Sequence, residues 1–338
     1  MYTQSELLTT INKSLEALTY NEEPKGMYDP IRYVLSMGGK RIRPILMLLT
    51  YNLYKDDVGS IMSNALALET YHNFTLLHDD VMDNADLRRG NPTVHKKWNE
   101  NTAILSGDAM LILAYRLMTE SRVSDSEPTS LGNSALNQNL ARALKTFTEA
   151  TLGVCEGQQY DMDFENRNDV KEEEYLEMIR LKTSLLLASA AKMGAELAGA
   201  SEDDAENLYD FGEKMGLAFQ LQDDLLDVYG DPAVFGKKIG GDILCNKKTF
   251  MLIHAKNISN AEQESELSFW ISEKDFVPEE KISAVKAIYD ALDMQTICRK
   301  KIEELFALSL DALEKVNVSS DKKEGLREYA HQLMGRKY

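Results

Sequence analysis

Apolar residues recur along most of the chain at spacings of three and four, as in Leu176, Ile179, Leu186, Ala190, Met193 and Leu197. That is the period of a helix that buries one face. Alternating runs of β-branched residues, the mark of half-buried strands, are absent, and Leu, Ala, Glu, Lys and Met dominate. The pattern predicts helices over 3–19, 29–54 with an interruption near Gly38-Gly39, 57–84, 98–120, 135–164, 171–199, 202–229, 246–257, 261–271, 279–291, 294–315 and 320–335. No proline falls between Pro128 and Pro232, so helices there can run unbroken. Many are apolar beyond a narrow stripe, as expected of bundle helices covered on several sides. The segment 230–245, with a proline and four glycines, reads as a functional loop. No composition shift marks a boundary, so residues 1–338 are expected to form a single all-α domain.

Composition narrows the chemistry. Lys and Arg number 38 against 55 Asp and Glu, a formal net charge of −17. A nucleic acid backbone would be repelled by that balance. A small anionic substrate would need metal ions or a local reversal of sign. Three widely spaced cysteines, Cys155, Cys245 and Cys298, form neither a disulfide framework nor a metal motif, which suits a reducing cytoplasm. No apolar run is long enough to span a membrane, and the first residues lack the plan of a signal peptide.

Two similar motifs carry the sharpest signal. His78-Asp79-Asp80-Val81-Met82-Asp83 and Gln222-Asp223-Asp224-Leu225-Leu226-Asp227 both contain DDxxD near the C-terminal end of a predicted helix. Residues i and i+4 share a helix face, so Asp79 pairs with Asp83 and Asp223 with Asp227. Two carboxylates so placed repel each other at the negative end of the helix dipole. A hard cation, Mg²⁺ or Mn²⁺, would compensate them. A single such motif could be an acidic solvated helix end, but two copies argue for metal. Basic residues cluster nearby in Gly38-Gly39-Lys40-Arg41-Ile42-Arg43-Pro44, Arg88-Arg89-Gly90, Gly236-Lys237-Lys238-Ile239-Gly240-Gly241 and Asn246-Lys247-Lys248-Thr249. Arg and Lys are the usual phosphate ligands. Taken singly, each Lys pair is no more than a solvated loop. Acid clusters for metal and basic clusters for phosphate together imply one metal-bound diphosphate and a second held by bases alone.

These segments, with GGKRIRP, LLHDDVMDNADLRRGNPTVH, RLKTSLL, FQLQDDLLD, FGKKIGGDI and NKKTF in this order, resemble the trans-isoprenyl diphosphate synthases (polyprenyl synthetases). The resemblance implies an isoprenoid-synthase bundle of roughly ten or more long helices around a deep central cavity, usually a homodimer. It implies two aspartate clusters facing each other and about three Mg²⁺ ions binding an allylic diphosphate. Carried over by position, Asp79, Asp80, Asp83, Asp223, Asp224 and Asp227 would serve the metals, the middle Asp of each cluster often as support. Arg88, Lys182, Lys237 and Lys247 would contact the allylic diphosphate. Lys40, Arg43, His72 and Arg89 would hold isopentenyl diphosphate. Thr183 and Gln220 would lie beside the nascent carbocation. His78 reads as a hydrogen-bond partner rather than a base.

Product length in such enzymes depends on what blocks the cavity below the first cluster. Thr75 lies one helical turn, about 6 Å, below Asp79, and Tyr71 about 12 Å below. Phe74 lies five residues before it. Bulky Phe74 and Tyr71 point to a closed floor, and either could instead be core packing. The resemblance here is to geranylgeranyl diphosphate synthases of archaeal type, giving C20 first, C15 next and C25 or longer third. A class I terpene cyclase is an alternative, but its second metal motif is of the NDxxSxxxE kind. A non-catalytic subunit of a heteromeric synthase is another, but such chains lose aspartates that this one keeps. The roles of Asp86 and of the basic tail Arg336-Lys337-Tyr338 stay open.

Overall fold

The computed structural model describes residues 2–18, 20, 22–120, 130–231 and 239–335. Lys237 and the tail from Arg336 lie outside them. The helices are α1 (Gln4–Ala17), α2 (Lys25–Ser36), α3 (Ile42–Asn52), α4 (Met62–Met82), α5 (Val94–Lys97), α6 (Glu100–Thr119) and α7 (Ser130–Glu165). They continue with α8 (Glu172–Ile179), α9 (Leu185–Ala198), α10 (Glu202–Tyr229), α11 (Gly241–Leu244) and α12 (Phe250–Ile258). The last are α13 (Ala261–Ser272), α14 (Pro278–Ala291), α15 (Met294–Lys315) and α16 (Ser320–Met334). The chain divides into two compact units. The first comprises Met1–Phe147, Ala190–Glu206 and Asn317–Leu326; the second comprises Thr148–Ser189, Asn207–Val316 and Arg327–Tyr338.

In the first unit, helix starts follow their caps. Thr3 and Glu6 close a capping box at α1, which then buries Leu7, Ile11 and Leu15 along one face. α4 is buried on every side from Asn64 to Tyr71, so it is central rather than amphipathic. The interruption expected near Gly38-Gly39 is a full break between α2 and α3. Gly38, Gly39 and Arg41 all take positive φ there. A Cβ on Gly39 would lie 3.0 Å from the Arg89 guanidinium, so glycine serves both the turn and the close approach. The structure adds elements that the pattern did not predict: the four-residue helices α5 and α11, the latter inside the segment expected to be a loop, and a hairpin. Leu87–Arg88 and Asn91–Pro92 form a two-residue antiparallel hairpin, turned by Arg89 and Gly90 at φ 54° and 76°.

The second unit has its own core, including Tyr175, Met178, Leu217, Leu221, Leu225, Phe250, Ile288 and Tyr289. The expected continuous helix over 171–199 is broken by a π-helical turn, Arg180–Ser184. Its backbone is closely approached by a neighbouring helix. A Cβ on Gly157 of α7 would lie 2.4 Å from the Lys182 nitrogen, so α7 presses directly on the backbone of this turn.

Candidate active site

The first aspartate cluster ends α4, with Asp83 as its C-cap. Its members differ sharply in surroundings. Asp80 is 5% exposed, and Arg88 donates to its Oδ1 from Nε (2.9 Å) and Nη2 (2.5 Å). Burial pushes the Asp80 carboxyl up, against the pull of Arg88. Asp79 is half-buried and Asp83 exposed. Arg88 ends the first strand of the hairpin and Arg89 begins its turn. The Arg89 guanidinium turns back to the Gly38 carbonyl. Asp86, left open by the sequence, lies 3.2 Å from the Lys96 ammonium.

A concentration of positive charge sits beside this cluster. His72 is held well below its ordinary pKa by burial and by Arg43, Arg89, Arg88 and Arg41. It is therefore neutral at pH 7, among cations that a diphosphate would satisfy. Lys40 is exposed on the loop before α3. Arg41, which the sequence did not single out, is 4% exposed. Its Nη1 pairs with Glu69 Oε1 at 2.5 Å, and its Nη2 donates to the Leu35 carbonyl at 3.1 Å. It thereby fixes the turn between Lys40 and α3, the helix that carries Arg43.

Below the cluster, Phe74 and Tyr71 stand at 5.4 Å between ring centroids. Phe147 packs on both Tyr71 (5.7 Å) and Tyr115 (5.0 Å). Tyr71 is 1% exposed and Phe74 9%. Tyr71 and Phe74 are legible in the sequence from their place on α4, whereas Tyr115 and Phe147 come from other helices and are not. Thr75 spends its hydroxyl on the His72 carbonyl at 2.9 Å. His78 lies edge-on to Phe74 and 3.1 Å from the Ile104 carbonyl through Nε2. It behaves as a hydrogen-bond partner.

The second cluster, on α10, repeats the division of labour. Asp224 is 3% exposed, while Asp223 and Asp227 are half-buried. Tyr175 and Gln220 both donate to Asp224, Gln220 from Nε2 at 3.0 Å. Burial pushes the Asp224 carboxyl up to about 6, against the opposing charge of Lys247. The Gln220 oxygen in turn accepts from the Thr183 hydroxyl at 3.1 Å. Thr183 and Gln220, paired by expectation, are thus in contact. Lys182, on the π-turn, donates to Asp161 Oδ2 at 2.6 Å, a partner the sequence did not indicate. Asp227 Oδ2 accepts the Asp242 amide at 2.9 Å, tying the cluster to the loop that carries Lys247.

The donor set suits a hard cation. Each cluster offers outer carboxylates one helical turn apart on one face, with the middle one committed to the protein. Mg²⁺ binds through one or two carboxylates and completes its shell with water and phosphate oxygens. Among the described residues no group of three His, Cys, Asp or Glu side chains converges.

The profile of the polyprenyl synthetase family matches residues 24–292. The chain belongs to that family. Within it, this polyprenyl synthetase is 38% identical to the short chain isoprenyl diphosphate synthase of Methanocaldococcus jannaschii, over 87% of this chain and 85% of that one. It is 36% identical to the geranylfarnesyl diphosphate synthase of Natronomonas pharaonis, over 73% and 74% respectively. A crystal structure of a geranylgeranyl pyrophosphate synthase superposes with a TM-score of 0.91 at 42% identity, covering all of both chains. The expected all-α isoprenoid-synthase fold is therefore the observed one, and the chain is a prenyltransferase.

Proposed function

We propose that this prenyltransferase condenses isopentenyl diphosphate with allylic diphosphates to give a short all-trans prenyl diphosphate, C20 in the main. The observation that supports it most is the repeated pattern of the two clusters, a buried middle Asp flanked by more open ones, each near concentrated basic residues. Residues 1–338 are read as one isoprenyl diphosphate synthase domain.

Asp79 and Asp83 in one unit, and Asp223 and Asp227 in the other, would hold magnesium. When bound, the metal polarises the leaving diphosphate as a Lewis acid, worth several kcal/mol. Asp80 and Asp224 stiffen the helix ends. Arg88 keeps Asp80 through Nε and Nη2 and has Nη1 for a phosphate oxygen. Lys182, Lys247 and, outside the described residues, Lys237 complete the allylic diphosphate contacts. Lys40, Arg43, His72 and Arg89 hold isopentenyl diphosphate.

Ionisation breaks the allylic C–O bond, and the diphosphate leaves with the electron pair. Thr183 and Gln220 present oxygen dipoles to the resulting cation. The alkene of isopentenyl diphosphate attacks it, forming the new C–C bond, and the departing diphosphate takes the proton.

The aromatic group of Tyr71, Phe74, Tyr115 and Phe147 sets the length, with Phe74, the more accessible of the two foremost rings, as the stop. Purified protein with Mg²⁺, isopentenyl diphosphate and dimethylallyl, geranyl or farnesyl diphosphate should yield a C20 product that EDTA abolishes. Phe74→Ala should extend the product by one or more C5 units, read by chromatography. An unchanged product spectrum would place the floor elsewhere. Hydrocarbon or alcohol from a preformed allylic diphosphate, without elongation, would favour a cyclase.

α6 exposes Ile104, Leu105 and Ile112 at 44, 57 and 68%, a stripe that water covers poorly. This stripe would serve as the homodimer surface. Equilibrium sedimentation should give twice 38.2 kDa. A monomer mass at micromolar concentration would count against it. Among the described residues no helix is long and apolar enough to cross a membrane.

A further inference from the structure

Lys281, near the start of α14, is 1% exposed. Among the described residues no carboxylate pairs with it. Its ammonium donates to Asn246 Oδ1 at 2.7 Å, lies 3.5 Å from the Leu244 carbonyl and stands 4.2 Å from the Phe276 ring centroid. An uncompensated buried ammonium costs several kcal/mol, and Met or Leu would fill the same space without that cost. Burial pulls the Lys281 pKa below the ordinary value, as expected of a desolvated amine.

What the charge holds is the turn before Lys247. Asn246 is left-handed, φ 55°, a conformation that needs support in a non-glycine residue. Lys281 takes the oxygen of its side chain, and the Ile271 carbonyl takes the nitrogen at 3.0 Å. The next residue is Lys247, whose N–H reaches the Asp242 carbonyl at 2.9 Å and whose carbonyl accepts the Thr249 N–H at 2.8 Å. Lys281 and Lys247 also line the same small cavity. The Lys247 charge opposes the upward push on the Asp224 carboxyl, so Lys247 lies near the second cluster. Lys248 turns back to the Asn246 carbonyl at 3.1 Å.

We propose that Lys281 is a positioning residue for prenyl transfer: its buried ammonium, through Asn246, fixes the turn that aims Lys247 at the allylic diphosphate. The inference rests on the reading of Lys247 as an allylic diphosphate contact. It separates the two neighbouring lysines by task and makes α14, which contributes nothing to the aspartate clusters, a determinant of substrate affinity.

The test is steady-state kinetics on the full-length enzyme with geranyl and isopentenyl diphosphates. Lys247→Ala sets the reference and should raise KM for geranyl diphosphate. Lys281→Met should raise that KM about tenfold and leave KM for isopentenyl diphosphate within twofold. In the double variant Lys281→Met should add less than twofold to Lys247→Ala, because it acts through that residue. Should Lys281→Met fail to fold, Asn246→Ala breaks the same link and should show the same split. A folded variant with unchanged KM, both KM values rising together, or multiplicative effects in the double variant would each overturn the proposal. A Lys247→Ala enzyme with unchanged KM for geranyl diphosphate would instead overturn the reading of Lys247.

Discussion

Asp79→Ala is expected to lower kcat about a thousandfold with geranyl and isopentenyl diphosphates at saturating Mg²⁺. Several kcal/mol of charge stabilisation on the leaving diphosphate goes with the ligand, and about 1.36 kcal/mol corresponds to each decade of rate. The fold should survive. Asp79 sits in the last turn of α4, where a carboxylate opposes the helix dipole, so its removal leaves the melting temperature unchanged or raised. Asp223→Ala should behave alike on α10. The middle carboxylates form the contrast: Asp80 is bound to Arg88 and Asp224 to Tyr175 and Gln220, so their loss disturbs the protein as well as the rate. Turnover near wild type in either outer variant, with Mg²⁺ still required, would sink the two-cluster mechanism.

Arg41→Met should strongly destabilise the first unit. The side chains of Arg41 and Glu69 are each 3% exposed and pair at 2.5 Å. Arg41 also donates to Asn12 Oδ1 at 3.2 Å, and Asn73 donates to Glu69 Oε1 at 3.0 Å. Removing the guanidinium strands the Glu69 carboxylate in the interior, at a cost of about 3–5 kcal/mol. Thermal denaturation should register a fall on the order of 5–10 °C. The double variant Arg41→Met with Glu69→Leu should recover most of it, because no buried charge is then left alone. A loss under about 1 kcal/mol in the single variant would show that water reaches Glu69.

Much of this protein is legible from one sequence. Helix positions follow from apolar spacing, and the break at Gly38-Gly39 from two adjacent glycines. Both aspartate clusters are legible because each is a short motif on one helix, where i and i+4 must share a face. The basic segments are legible because they too are local. The π-turn at Arg180–Ser184 is not, since its own apolar spacing continues the helix and its close neighbour, Gly157, lies on another helix. Nor are the partners of Lys182 and Arg88, which turn out to be Asp161 and Asp80.

The sequence by itself determined the helical class, the acidic balance and the places where carboxylates and cations concentrate. Those depend on composition and on neighbours within one or two turns. Only the tertiary structure decided which carboxylate of each cluster is buried and which rings join Phe74. It alone showed that Arg41 is a structural cation and that Lys281 holds the turn before Lys247. Periodicity records that a face is buried but not against what, because burial is non-directional and any apolar surface satisfies it. Hydrogen bonds and ion pairs are directional, and their partners here lie 28 residues apart for Arg41 and Glu69 and 35 for Lys281 and Asn246. Such pairings exist only once packing brings the two segments within about 3 Å of each other.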